Sequence, residues 1–331
     1  MRMRKQTVFR WTLISIVAFT IAVSIFLAII AHRNIYSRRV LGSQVNIINR
    51  KSVVHSPESK LKYYYEPIAY ATESAQPDWL PAPVTYTING EGLNERLDYP
   101  VEKYSGDYRI ITLGDSFTYG AYVNTKDNWP EQLEDLLNNH KPCDQYVKYE
   151  VINLGMGGYD IQYSVERYRL HGVKYSPDIV IWLLHDNDFQ QIAEEIRSME
   201  PLYLSLRPVQ KGTPNELEKQ TAITDIATKE FIDKHPESYL LSQQYSFLLK
   251  ITQYYQGDLI VISLPQIGKQ YIESLKRFAN ERPSTSYHEL RNIYNEQFGG
   301  SYNPDDPHPN TRGHTIIAED VYDILSKRRC Q

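Results

Sequence analysis

The sequence predicts an α/β protein in which a parallel β-sheet is covered by helices on both faces and preceded by one transmembrane helix. Three observations carry this expectation. The segments 109–113, 149–154, 179–184 and 259–264 are apolar almost throughout rather than alternating, as strands buried on both faces require. Helical patterns separate the first three of them, the rhythm of a parallel sheet with crossover helices. A charge-free apolar run at 11–31 is long enough for a helix to cross a bilayer, which takes about 20 residues.

From the amino terminus, Arg2, Arg4, Lys5 and Arg10 precede the apolar run, and His32, Arg33, Arg38 and Arg39 follow it. A cleaved signal peptide has a shorter apolar core and small residues before the cut. Here Ile29 occupies the first small position of an Ala-x-Ala site, so the run reads as an uncleaved anchor. The basic flank at 1–10 favours a cytoplasmic amino terminus and an extracytoplasmic remainder. Residues 32–84 are polar, with a cluster at Tyr63, Tyr64 and Tyr65, and read as a stalk or linker. The alternating run 84–88, followed by Asn89 and Gly90, fits a small hairpin or edge segment.

The main domain is expected over 85–331. Trp129, Leu133, Leu136 and Leu137 fall on one face of a helix at 128–138, with Pro130 in its first turn. Ile161, Val165 and Tyr168 do the same at 160–171, with Gly172 as the stop. A last helix at 311–327 buries Ile317, Val321, Ile324 and Leu325. Between 189 and 257 no strand pattern occurs but helical ones do, as at 215–235. This reads as a helical insertion over one rim of the sheet, placed to border a substrate cleft.

Composition narrows the function classes. Hydrophobic and charged fractions of 41% and 23% describe an ordered globular chain. A net charge of -4 gives no reason to expect nucleic acid as a partner. The 27 tyrosines suit either a surface that stacks on sugar rings or ordinary strands and core edges. Cys143 and Cys330 fit a disulfide or two free thiols equally well.

The chemistry centres on Ser116 in Gly114-Asp115-Ser116-Phe117-Thr118-Tyr119-Gly120, directly after the first strand. Gly-Asp-Ser is also common turn chemistry, so the serine is judged by its partners. A nucleophilic serine needs a base, an acid to orient it, and donors for the oxyanion. Of nine histidines, His308 stands out, held between Pro307 and Pro309 just before the last helix. Asp305 lies three residues earlier, within reach of the ring in a turn, and Asp306 is the alternative. His314 lies on the helix and reads as structural. Gly155, Gly157 and Gly158 follow the second strand, where backbone N–H groups point into a cleft. A dinucleotide loop is excluded, because Asp160 stands where the third glycine of G-x-G-x-x-G belongs. Asn187 follows the third strand, as an amide donor or a helix cap. Ligands of an open parallel sheet sit beyond the carboxyl ends of the strands, which is where these segments fall. The G-x-S-x-G elbow of α/β-hydrolases is absent. No cofactor or metal site is indicated, since the triad accounts for Asp305 and His308.

In these blocks the sequence resembles the SGNH, or GDSL-type, hydrolase family. The first block is similar to 114–120, with Ser116 as nucleophile and one oxyanion N–H. The second is similar to 153–158, with Gly158 as a donor, and the third to 185–188, with Asn187 as the side-chain donor. The last resembles 305–309, giving Asp305 and His308 the acid and base roles. One position departs from the pattern: the third block begins with glycine in the family and with His185 here. The resemblance covers roughly 85–327 and implies a flavodoxin-like three-layer α/β/α sandwich and acyl-ester chemistry. The expected function is a membrane-anchored esterase acting on O-acetyl or other acyl esters of an envelope or secreted polysaccharide, in contact with envelope-polysaccharide machinery. A polysaccharide O-acetyltransferase using the same triad and a non-catalytic glycan-binding module are the competing readings.

Overall fold

The computed structural model describes residues 53–206, 216–265, 267–294, 299–303 and 306–328. Two short antiparallel ribbons come first: β1 (Val53–Val54) pairs with β2 (Glu66–Pro67), and β3 (Thr72–Ala75) with β4 (Val84–Thr87). The central sheet follows, with β5 (Asp107–Leu113), β6 (Lys148–Asn153), β7 (Ile179–Leu184), β8 (Asp258–Ser263) and β9 (Thr285–Glu289). All are parallel, in the order β6-β5-β7-β8-β9. Counted along the sheet's own strands this is 2-1-3-4-5, the flavodoxin-like arrangement. A last ribbon joins β10 (Ser301–Asn303) to β11 (Asp306–Pro309).

The four apolar runs became the four inner and flanking strands because helices bury both of their faces. The short α1 (Ser116–Tyr119) follows β5, and α2 (Trp129–His140) leads to β6. After β6 comes α3 (Ile161–Arg167), and after β7 come α4 (Asp186–Gln190), α5 (Ala193–Leu206), α6 (Glu216–Lys234) and α7 (Glu237–Lys250). Then α8 (Lys269–Asn280) links β8 to β9, and α9 (Thr311–Ser326) closes the chain. One face carries Ile111, Leu113, Val180, Trp182 and Leu184, packed on Val165 of α3, Leu248 of α7 and Leu275 of α8. The other carries Ile110, Ile179, Ile181, Ile260 and Ile262, packed on Leu133 of α2 and Val321 of α9. Successive strand residues point to opposite faces, so one continuous apolar run feeds two cores. Asn128 caps α2 by accepting the Glu131 N–H at 2.9 Å, with Pro130 just inside.

Several expectations shift. The helical segment between β7 and β8 does not merely overhang a rim. Ile192, Ile196, Ala227, Phe231, Leu240 and Phe247 belong to the core of one sheet face. The edge strand β9, TSYHE, was not expected; it is only half-buried and polar, so it has no apolar run to betray it. The strand at 84–88 pairs with the upstream β3, and across the Asn89–Gly90 turn it forms only a short antiparallel bridge between Ile88 and Asn94. From Val53 on, the segment read as a stalk is packed into the domain, with Tyr64 and Tyr65 buried beside Tyr159 and Tyr163. Many tyrosines, these four among them, are core residues rather than a sugar-stacking surface. Cys143 is disulfide-bonded; Cys330 lies outside the described residues, as does the apolar run 11–31. Among the described residues no helix is long and apolar enough to cross a membrane.

Candidate active site

The sheet order reverses between β5 and β7, the place where a crevice opens at the carboxyl ends of such sheets. Three loops meet there. Gly114 ends β5 at φ +150°, and a Cβ on it would lie 2.8 Å from the Leu183 carbonyl and 2.3 Å from Thr118 Oγ1. The glycine therefore lets the chain turn against β7 and present Ser116 as the first residue of α1. Asp115 caps that turn by accepting the Phe117 N–H at 2.9 Å.

Ser116 Oγ lies 2.8 Å from His308 Nε2. On the far side of the ring, Nδ1 lies 2.5 Å from Asp306 Oδ1, which also accepts the His308 N–H at 2.9 Å. A carboxylate only accepts, so Nδ1 carries the proton and Nε2 presents a lone pair to the serine hydroxyl. Burial pushes the Asp306 carboxyl up, but hydrogen bonding and charge from His308 outweigh it and hold it below the ordinary carboxylate value. The serine, imidazole and carboxylate are all buried. Phe117 lies 5.1 Å from the His308 ring and Tyr122 meets it edge-on at 5.2 Å.

The carboxylate that meets the His308 ring is thus that of Asp306, where the spacing favoured Asp305 as the acid. That expectation assumed a turn before His308. The chain is instead extended in β11, where side chains two apart share a face, so Asp306 and His308 point the same way. Asp305 lies outside the described residues. His314 packs in the core behind the site, where its Nδ1 receives the Trp129 N–H at 3.2 Å.

Of the other predicted residues, Asn187 reaches the serine turn from the end of β7. Gly158 follows β6 with φ +74°. Among the described residues neither its N–H nor that of Ser116 has a hydrogen-bond acceptor. Asn187, in the first turn of α4, donates from Nδ2 to Asp115 Oδ2 at 2.9 Å, so its amide is tied to the residue next to the serine. Three supports stand in stretches the sequence singled out, but without a role of their own. Asp115 anchors Asn187 as well as its own turn. Tyr65, far upstream, donates its hydroxyl to the Gly157 carbonyl at 2.6 Å. Asn153 holds the second loop to the first, donating to the Thr118 carbonyl at 3.0 Å and accepting the Gly155 N–H at 2.9 Å.

The family model for the GDSL-like lipase/acylhydrolase family matches residues 112–316. No curated protein matches the chain. Among solved structures, similarity is found to a two-domain esterase active on acetylated mannans, co-crystallised with mannopentaose. It is 16% identical over 69% of this chain, with a TM-score of 0.44, and the chain spans only 53% of that esterase. A lipase/acylhydrolase from Enterococcus faecalis is 11% identical, covering 68% of this chain and 99% of its own, with a TM-score of 0.43. A psychrotrophic esterase from Pseudoalteromonas sp. is 18% identical, covering 67% and 98%, with a TM-score of 0.40.

Proposed function

The chain belongs to the GDSL-like lipase/acylhydrolase family, and we propose that it is a carboxylic ester hydrolase, a membrane-anchored serine esterase that removes O-acetyl groups from an extracytoplasmic polysaccharide. The observation that carries the catalytic part is the unbroken relay from Ser116 through His308 to Asp306, at 2.8 and 2.5 Å.

In this reading the Ser116 hydroxyl attacks the ester carbonyl while His308 Nε2 takes its proton. Asp306 holds the ring in the required tautomer and stabilises the imidazolium that forms. The Ser116 and Gly158 N–H groups, which have no acceptor among the described residues, and the second Nδ2–H of Asn187 receive the oxyanion. His308 then protonates the departing alcohol. Water, deprotonated by the same nitrogen, hydrolyses the acyl-enzyme and regenerates the serine.

The small acyl group is supported by enclosure. Ser116 is fully buried, and the aromatic rings of Phe117 and Tyr122 close in on His308. The anchor is supported by the charge-free run 11–31 and its basic flanks. That orientation places the domain outside the cytoplasm, where acetylated envelope and secreted glycans are the accessible esters.

Full-length protein in detergent, assayed for acetate release from acetylated polysaccharides and p-nitrophenyl acetate, tests the proposal. Ser116→Ala is expected to abolish both activities while Asn187→Ala leaves a remnant, since losing one oxyanion donor costs roughly 10²–10³ in rate. An unimpaired Ser116→Ala variant overturns it. Acetate reappearing on an added sugar acceptor assigns the same serine to transfer instead of hydrolysis.

A further inference from the structure

The oxyanion role of Asn187 depends on which end of its amide faces the reaction, because oxygen and nitrogen exchange places on a half-turn. Asp115 accepts from the nitrogen end at 2.9 Å. At the oxygen end, Asn187 Oδ1 lies 3.0 Å from His185 Nδ1. An amide oxygen only accepts, so the proton of that contact sits on His185 Nδ1. The imidazole is itself held. It stacks on Phe117, with centroids 4.5 Å apart and planes 22° from parallel. Its backbone N–H donates to Asp188 Oδ2 at 2.6 Å, and the Asp188 N–H donates back to the His185 carbonyl at 3.1 Å. His185 is also the position at which the chain departs from the resembled third block, which begins with glycine.

We propose that His185 is a positioning residue: its Nδ1–H clamps Asn187 Oδ1, so that the second Nδ2–H stays directed at the developing oxyanion. The inference rests on the acyl-transfer reading above. With Asp115 on one end of the amide and His185 on the other, the donor is fixed before charge appears, which is what makes such donors effective. A clamp of this kind acts on the transition state, so its loss lowers kcat and leaves KM nearly unchanged. His185 never touches substrate in this scheme; it works only through Asn187.

Three substitutions separate the donor from the ring. His185→Phe keeps an aromatic ring on Phe117 and removes the donor. His185→Asn removes the ring but sets an amide nitrogen the same number of bonds from Cα as Nδ1. His185→Gly removes both. The readout is kcat and KM for p-nitrophenyl acetate with the full-length protein, each variant also made in the Asn187→Ala background, with folding checked by thermal unfolding. The expected result is a loss of about 10–100-fold in kcat for His185→Phe, bounded by the value of one oxyanion donor. Recovery to within about fivefold is expected for His185→Asn, and no further loss from His185→Phe once Asn187 is alanine. A His185→Phe enzyme as fast as the parent overturns the clamp, as does an equal loss in the Asn187→Ala background. If His185→Asn is as slow as His185→Phe, a restored donor does not restore the rate and the clamp is overturned. Parent protein with no Ser116-dependent turnover overturns the esterase reading and this inference together, whereas Ser116-dependent turnover indifferent to His185 overturns this inference alone.

Discussion

Asp306 and His308 stand two residues apart on one extended strand, and a single carboxylate oxygen of Asp306 receives both the ring Nδ1–H and the backbone N–H of His308, at 2.5 and 2.9 Å. The second bond holds the carboxylate against the strand, so it cannot rotate away from the His308 ring. Asp306→Asn offers an amide in its place and permits the tautomer with the proton on Nε2, which no longer accepts from Ser116. In a serine triad this kind of change lowers kcat by about 10⁴. Steady-state kinetics of Asp306→Asn beside Asp305→Asn checks the assignment: the first is expected to collapse kcat and the second to stay within about threefold of the parent.

That pair also shows where sequence reasoning stops. The order of Ser116, Gly158, Asn187 and His308 along the chain was legible because each follows a recognisable apolar strand or precedes an amphipathic helix. The inner sheet was legible for the same reason, since burial on two faces writes an uninterrupted apolar run. Choosing Asp306 over Asp305 depended on the local backbone being extended, and Pro-rich segments suit both turns and strands. The edge strand β9 escaped because an edge needs little burial. Tyr65 escaped because its contact with Gly157 joins residues far apart in sequence, which no local pattern encodes.

His314 should make the fold sensitive to acid. Burial, with a smaller effect from His308, depresses its pKa from the ordinary 6.5 to about 3, consistent with a Nδ1 that must stay unprotonated to accept the Trp129 N–H. The unfolded chain takes up a proton below pH 6.5 and the folded one does not until about pH 3. Stability from this group is therefore complete above pH 6.5, falls as pH drops through that window, and levels off below it; the loss is up to roughly 5 kcal/mol. His314→Asn retains an acceptor for Trp129 without the titration. Denaturant unfolding at pH 4.5 and pH 7 is expected to show a smaller difference for the variant than for the parent. Other groups, such as Asp160 with its pKa raised by burial to about 6, contribute equally to both.

Gly114→Ala should damage folding and catalysis together. Its Cβ would meet the Leu183 carbonyl at 2.8 Å, and φ is +150°, so the backbone of β7 or the serine turn has to move. Thr118 can rotate away, but the carbonyl belongs to a central strand and cannot. Strain of this type costs about 1–3 kcal/mol, and any relief displaces Ser116 from His308. The expected outcome is a lower unfolding midpoint with a kcat loss of at least tenfold, read from denaturant unfolding and p-nitrophenyl acetate kinetics on the same preparation.

Tyr65 tests whether the segment before the domain is part of the active site. Its hydroxyl donates to the Gly157 carbonyl at 2.6 Å, one residue before the proposed donor Gly158, and its ring packs between Tyr159 and Arg197. Tyr65→Phe keeps the ring contacts and removes only the hydroxyl, leaving the buried Gly157 carbonyl without that donor. An orphaned buried acceptor costs about 1–3 kcal/mol, and the glycine loop it leaves behind is freer to turn the Gly158 N–H out of line. Because an oxyanion donor acts on the transition state, kcat should fall about tenfold with KM nearly constant. Unchanged kcat alongside a lowered unfolding midpoint would make Tyr65 a packing residue only, whereas a joint fall places the upstream tyrosines among the supports of the oxyanion loop.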